Sequence, residues 1–184
     1  MSILPIFTYN DQVLREQTEP INELTDSITE LINDMLETMY NSDGVGLATP
    51  QIGKFLKLFV MDGDPILEEG EEKYGALVFI NPIIIEKKGK KIPMDEGCLS
   101  IPYVREKVFR PETIVVRYKD KDFKDQEKEF SGWMARIIQH EVDHLKGILF
   151  IDYLSAFRKR MVKSDLKEID TGQIEVEYPI VPRG

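Results

Sequence analysis

Apolar residues between Ile21 and Tyr40 fall at positions 24, 28, 31, 32, 35, 36 and 39. Steps of three and four residues bring them to one side of a helix, so this stretch predicts an amphipathic helix. Thr25-Asp26-Ser27 supplies capping side chains at its start, and Asn41-Ser42-Asp43-Gly44 ends it. After the glycine-rich stretch from Gly44 to Gly53 the helical period is gone. Leu56 to Met61 reads as a short apolar strand and Leu77 to Glu86 as a buried one. Between them, Asp62 to Lys73 is acidic, with two glycines and a proline, and reads as a solvated loop. Lys87-Lys88-Gly89-Lys90-Lys91 reads as a turn. Thr113 to Tyr118 is β-branched enough for a strand, Gln126 to Phe130 is a weaker one, and Lys119 to Asp125 turns between them.

Helical patterning then returns. Ser131 offers an N-cap for a helix from Gly132 to Lys146, with Gly147 in the usual C-terminal position. Ser155 to Asp170 is a further amphipathic helix, with Phe157, Met161, Val162, Leu166 and Ile169 as its apolar positions. Gln173 to Ile180 is expected to add an edge strand. With no repeat or internal linker, residues 1–184 are expected to form one α+β domain.

Composition narrows the function. The chain is 42% apolar and 31% charged, ordinary for a folded soluble protein. A net charge of −9 argues against a general DNA-binding surface. One cysteine cannot make an internal disulfide, which fits a reducing compartment. Met1 to Asn10 lacks a basic region followed by an apolar stretch, so no signal peptide is expected. The longest apolar run, Ala76 to Ile85, is broken by Asn81 and Pro82 and is too short for a bilayer. The expectation is a soluble, cytoplasmic protein with no membrane or DNA partner.

The chemistry is concentrated in a few residues. The chain has two histidines, and both lie in His140-Glu141-Val142-Asp143-His144. By accident, two histidines would frame a glutamate in this way with odds of about one in a thousand. Residues four apart share a helix face, so both imidazoles can grip one cation while Glu141 stands beside it as a proton shuttle. Catalytic sites of this kind use three protein ligands. The third could be Cys98, in Glu96-Gly97-Cys98-Leu99-Ser100 between Pro93 and Pro102, or a downstream acid such as Glu168, Glu175 or Glu177. A third motif, Gly44-Val45-Gly46-Leu47-Ala48-Thr49-Pro50-Gln51, has two glycines that let a backbone come close to a ligand and an amide donor at Gln51. It is not a dinucleotide fingerprint, because position 49 is threonine.

Together, G-V-G-L-A-T-P-Q, E-G-C-L-S and Q-H-E-V-D-H-L, in this order and spacing, resemble the signature motifs of the bacterial peptide deformylases. Thr49 is a small departure, since the family usually has alanine there. That family removes the N-formyl group from the initiator methionine of new polypeptides. The resemblance implies small antiparallel sheets around a central helix carrying the H-E-x-x-H motif, with a C-terminal helix. It implies Cys98, His140 and His144 as ligands of one divalent metal, usually Fe²⁺, with Zn²⁺, Ni²⁺ or Co²⁺ as alternatives. Metal-bound water would attack the formyl carbon, with Glu141 as general acid/base. Gln51 and the Leu99 N–H would hold the formyl oxygen, and Gly46 would leave room for the formyl end. Val45, Trp133 and Ile137 are candidate walls of a methionine pocket, and Arg105 matches a position near the bound peptide. Arg136 is charged where some relatives are aliphatic, which brings a charge to the expected pocket rim. Glu96 and Arg110 are expected to pair behind the Cys98 turn. The implied partner is an N-formylmethionyl nascent chain. Arg158-Lys159-Arg160 with Lys163 is a small basic patch that could meet the ribosome. The rival readings are a zincin-type protease, with an acid as third ligand, and an inactive scaffold.

Overall fold

The computed structural model describes residues 2–182; Met1, within the segment read as lacking a leader, and residues 183 and 184 lie outside the described residues. Among these, the first helix, α1 (Asp26–Asn41), starts where expected: Thr25 accepts from Ile28 N–H. It buries Ile32, Met35 and Met39 on β1 (Gly46–Ala48) and β2 (Leu58–Met61). β3 (Leu77–Cys98), β4 (Ile101–Lys119) and β5 (Asp125–Ser131) complete one antiparallel sheet of order β1-β2-β3-β4-β5.

The expected turn at Lys87–Lys91 is corrected: it lies inside β3, which pairs with β4 from Ile80↔Lys119 to Cys98↔Ile101. The lysine run is instead one of four places where the register slips, between Lys88 and Lys91. Such bulges bend and twist a pair of strands without ending it, and the lysines stay in solvent while β4 takes up the backbone groups. The first half of β4, missing from the sequence reading, alternates buried and exposed positions, but Glu106 and Arg110 occupy two of the buried ones. Inward charges hide the apolar period of a strand.

β5 runs directly into α2 (Gly132–His144), the central helix, whose residues Met134 to Val142 are all buried. One side of it packs on the sheet face built from Phe59, Phe79, Tyr118 and Phe130. The rings of Phe59 and Phe79 stack at 4.6 Å. Its other side is left for the site.

The expected Ser155–Asp170 helix is broken at Val162 into α3 (Ala156–Met161) and α4 (Lys163–Asp170). Val162 is buried there with Leu166 and Ile169. The basic patch on α3 is smaller than it reads, because Arg158 is paired with the buried Glu106 at 2.5 and 2.8 Å. The expected edge strand at 173–180 is also corrected: it is an extended strap that makes a single parallel bridge, Ile6↔Ile180. Pro179 interrupts any longer ladder, since it has no N–H to donate. No helix among the described residues is long and apolar enough to cross a membrane.

Candidate metal centre

One turn apart on α2, His140 and His144 point their Nε2 atoms together, 3.2 Å apart. Cys98 comes from the last position of β3, where the chain reverses through Leu99 and Ser100 into β4. Its Sγ lies 3.3 Å from His144 Nε2, and the ligand atoms of all three residues lie within 4.8 Å of one another. Nitrogen and sulfur ligands at 2.0–2.1 and 2.3 Å from a tetrahedral cation would be about 3.3–3.6 Å apart. The cluster has nearly the dimensions of that tetrahedral face. Among the described residues it is the one group of metal-ligating side chains, and no downstream carboxylate belongs to it.

A buried charge network orients the first imidazole. Glu96, two residues before Cys98 on β3, meets His140 Nδ1 at 3.0 Å. A carboxylate only accepts, so Nδ1 carries the proton and Nε2 is left with its lone pair toward the cluster. Arg110 holds Glu96 through two bonds of 2.6 and 3.0 Å, and Arg136 adds a third at 2.8 Å. Arg136 also donates to the carbonyls of Ile92 and Val108, both at 2.7 Å, and is 3% exposed. Its guanidinium is therefore a strut between β3 and β4 as well as part of the cleft lining. Arg110 reaches on to Asp143 at 2.6 Å, and Tyr153 donates to the same carboxylate oxygen at 2.8 Å. Burial opposes ionisation of Glu96, but hydrogen bonds from His140 and Arg110 outweigh it and hold the carboxyl well below its usual range. Burial lowers the tendency of His144 to take a proton, which suits a neutral ligand.

Glu141 stands beside the cluster, buried, with no hydrogen-bond partner at Oε2. Burial, chiefly, raises its carboxyl to about 7. That is the range in which a group can take and return a proton at neutral pH. Gly46 makes this placement possible: a Cβ there would overlap Glu141 Oε1 and come within 2.8 Å of Cδ. On the facing side, Gln51 sits in a short 3-10 turn, Thr49–Ile52. Its Oε1 accepts from Ala48 N–H at 2.8 Å, which turns Nε2 toward Ser100 Oγ at 3.2 Å and Cys98 Sγ at 3.5 Å.

These groups open into a cleft of about 820 Å³ whose lining includes Val45, Gly46, Leu99, Trp133, Ile137 and the exposed Arg105. Of the residues singled out from the sequence, Cys98, His140, His144, Glu141, Gln51, Gly46, Val45, Leu99, Trp133, Ile137 and Arg105 gather in or around this cleft, whereas Glu168, Glu175 and the basic patch on α3 do not. Arg136 as a strut, Asp143, Ser100, Tyr153 and the tail residues Val176 and Tyr178 were not anticipated, and Glu177, considered as a metal ligand, instead lines the cleft. Asp143 and Ser100 were within the motif words themselves; Tyr153 and the tail carry no local signal. A buried unpaired carboxylate oxygen, an S,N,N donor set of this size and a neutral imidazole together fit a divalent cation.

The comparisons with known proteins agree on one relationship. A profile of the polypeptide deformylase family matches residues 3–160. The chain is 48% identical to the peptide deformylase of Salinibacter ruber, across 98% of this chain and 95% of that one. It is similar to the crystal structure of a peptide deformylase from Legionella pneumophila, with a TM-score of 0.82 and 38% identity over 94% of this chain and 98% of that one. The Ehrlichia chaffeensis peptide deformylase, solved in complex with actinonin, gives 0.84 and 36% over 95% and 100%.

Proposed function

This chain belongs to the metal-dependent peptide deformylase family, which acts on formylated nascent peptides, and on that premise we propose how its residues do so. Cys98, His140 and His144 hold one divalent ion, most naturally Fe²⁺ in the cell. Bound there, the ion acts as a Lewis acid and makes water acidic enough to serve as a nucleophile near neutral pH. Glu141 accepts the proton of the attacking water and delivers it to the departing amine, as a group poised at about 7 can do in both directions. Gln51 Nε2 and the Leu99 N–H receive the charge that builds on the formyl oxygen, with Gln51 already oriented by Ala48. Val45, Trp133 and Ile137 form the apolar pocket for the methionine side chain, and Arg105 lies along the path of the peptide beyond it. Residues 1–184 work as one catalytic domain in the cytoplasm, where nascent chains emerge.

The observation that carries this reading is the convergence of Cys98, His140 and His144 within 4.8 Å, with Glu141 against Gly46 at the end of the cleft. A cysteine in the third position supports a deformylase over a protease that would recruit a carboxylate from the tail. The test is formate release from formyl-Met-Ala-Ser, run against the acetylated and free peptides, with metal content measured on wild type and Cys98→Ala. Formate from the formyl substrate alone, lost together with the metal in Cys98→Ala, is the expected result. Cleavage of internal peptide bonds, or full activity in Cys98→Ala, overturns the reading.

A further inference from the structure

The family profile ends at residue 160, yet the tail beyond α4 returns to the metal centre. From Gln173 onward the strap runs along the cleft, where Val176, Glu177 and Tyr178 join its lining. It is tethered at three points. Tyr103 OH donates to the carbonyl of Glu175. Pro179 O accepts from Ile6 N–H and Val181 N–H donates to Ile6 O, both at 2.9 Å. Between these, Tyr178 OH donates to the carbonyl of Leu99 at 2.7 Å.

Leu99 sits between Cys98 and Ser100 in the reversal that joins β3 to β4. Its peptide with Cys98 bears the N–H assigned to the formyl oxygen, and its carbonyl is the one Tyr178 grips. Its side chain is held from the other direction, because Gly44 leaves room for Leu99 Cδ1 where a Cβ would come within 2.8 Å. A register slip between Glu96 and Cys98 leaves this turn with less support from the β3–β4 ladder. Rotation of the Leu99 carbonyl would swing the Cys98–Leu99 peptide, and with it both the sulfur and the N–H donor. We propose that Tyr178 is a positioning residue of the metal centre, carried by a C-terminal strap that clamps the Cys98–Ser100 turn and walls the substrate cleft. The proposal rests on the deformylase reading for its kinetic consequence, but the clamp itself is a property of the fold.

The test uses the full-length, zinc-loaded protein and its Tyr178→Phe and Tyr103→Phe variants. Two readouts are independent of catalysis: amide hydrogen exchange over residues 97–101 and the rate at which a chromogenic chelator withdraws zinc. Loss of one such hydrogen bond is expected to speed both about three- to ten-fold in Tyr178→Phe. kcat on formyl-Met-Ala-Ser should fall by a comparable factor with KM nearly unchanged. Tyr103→Phe loosens the strap one tether away and should give a smaller change in the same direction. Unchanged exchange and zinc release in Tyr178→Phe overturn the proposal, as does an unchanged Tyr103→Phe if Tyr178→Phe does not fold. A wild type that releases no formate while exchange still responds would sink the deformylase reading and leave the clamp standing. An active wild type indifferent to Tyr178 sinks only the clamp.

Discussion

Gly46 and Glu141 compete for the same space, and only the missing Cβ lets the carboxylate sit where it does. Gly46→Ala should therefore push the carboxylate off its position while leaving the three ligands in place. Misplacement of this order in a reacting group costs about 10²-fold in rate. We expect kcat on a formyl-Met peptide to fall by about that factor with metal content unchanged; an alanine variant of normal rate would show that Glu141 does not work from this position. Cys98 sets a second expectation. A thiolate ligand is open to oxidation, and redox-active Fe²⁺ aggravates it. Iron-loaded protein should lose activity on aeration while nickel- or zinc-loaded protein keeps it, with mass spectrometry finding added oxygen on Cys98. The gathering of Cys98, His140, Glu141 and His144 was legible because each lies in a short word whose spacing has geometric meaning. Arg136 was not, because its partner Glu96 lies 40 residues away and pairing at that range leaves no local mark.

Helices α1 and α2 were legible as elements because their apolar spacing and caps say the same thing. The β3–β4 pair was only half legible. Its outer reach carries lysines on one strand and the inward Glu106 and Arg110 on the other, so neither shows the alternation of a half-buried strand. Those inward charges are satisfied across the fold, Arg110 by Glu96 and Asp143 and Glu106 by Arg158. The end of α2 offers a test at this scale. Gly147 follows the helix with φ of +70°, and a Cβ there would lie 2.5 Å from the backbone oxygen of Arg15. Left-handed backbone costs about 1–2 kcal/mol for a residue with a side chain, and a backbone neighbour cannot step aside as a side-chain tip can. Gly147→Ala should lose at least about 2 kcal/mol in denaturant unfolding, with the loosened contact between α2 and the Gln12–Arg15 turn visible as faster amide exchange. A loss below half of that would mean Arg15 moves freely, and that the turn does not brace the helix bearing the histidines.

Over the whole molecule, the tail was the least legible part, since its role lies in contacts with Ile6, Leu99 and Tyr103 that no spacing reveals. Tyrosines shifted by burial and by neighbouring charges also make stability depend on pH. Tyr40 and Tyr153 are both raised to about 12, in each case by burial first and then by a hydrogen bond to a carboxylate, Asp62 and Asp143 respectively. Tyr118 is raised by burial and by Asp120, Tyr178 by burial and by the charges of Cys98 and Tyr103, and Tyr74 by its bond to Glu72. Five of the seven tyrosines thus keep their protons longer when folded than when unfolded. The stabilisation is whole below pH 10, where both states are protonated. It declines as pH rises toward 12, because the unfolded chain gives up phenolic protons that the folded one retains. The charge of −9 works in the same direction, since each phenolate formed adds to an existing excess. Thermal midpoints should therefore fall steadily above pH 10, and phenolate absorbance of the native protein should lag that of the protein in denaturant until unfolding sets in. Seven phenols titrating together near pH 10 with no loss of stability would mean that these hydroxyls are not held as the structure has them.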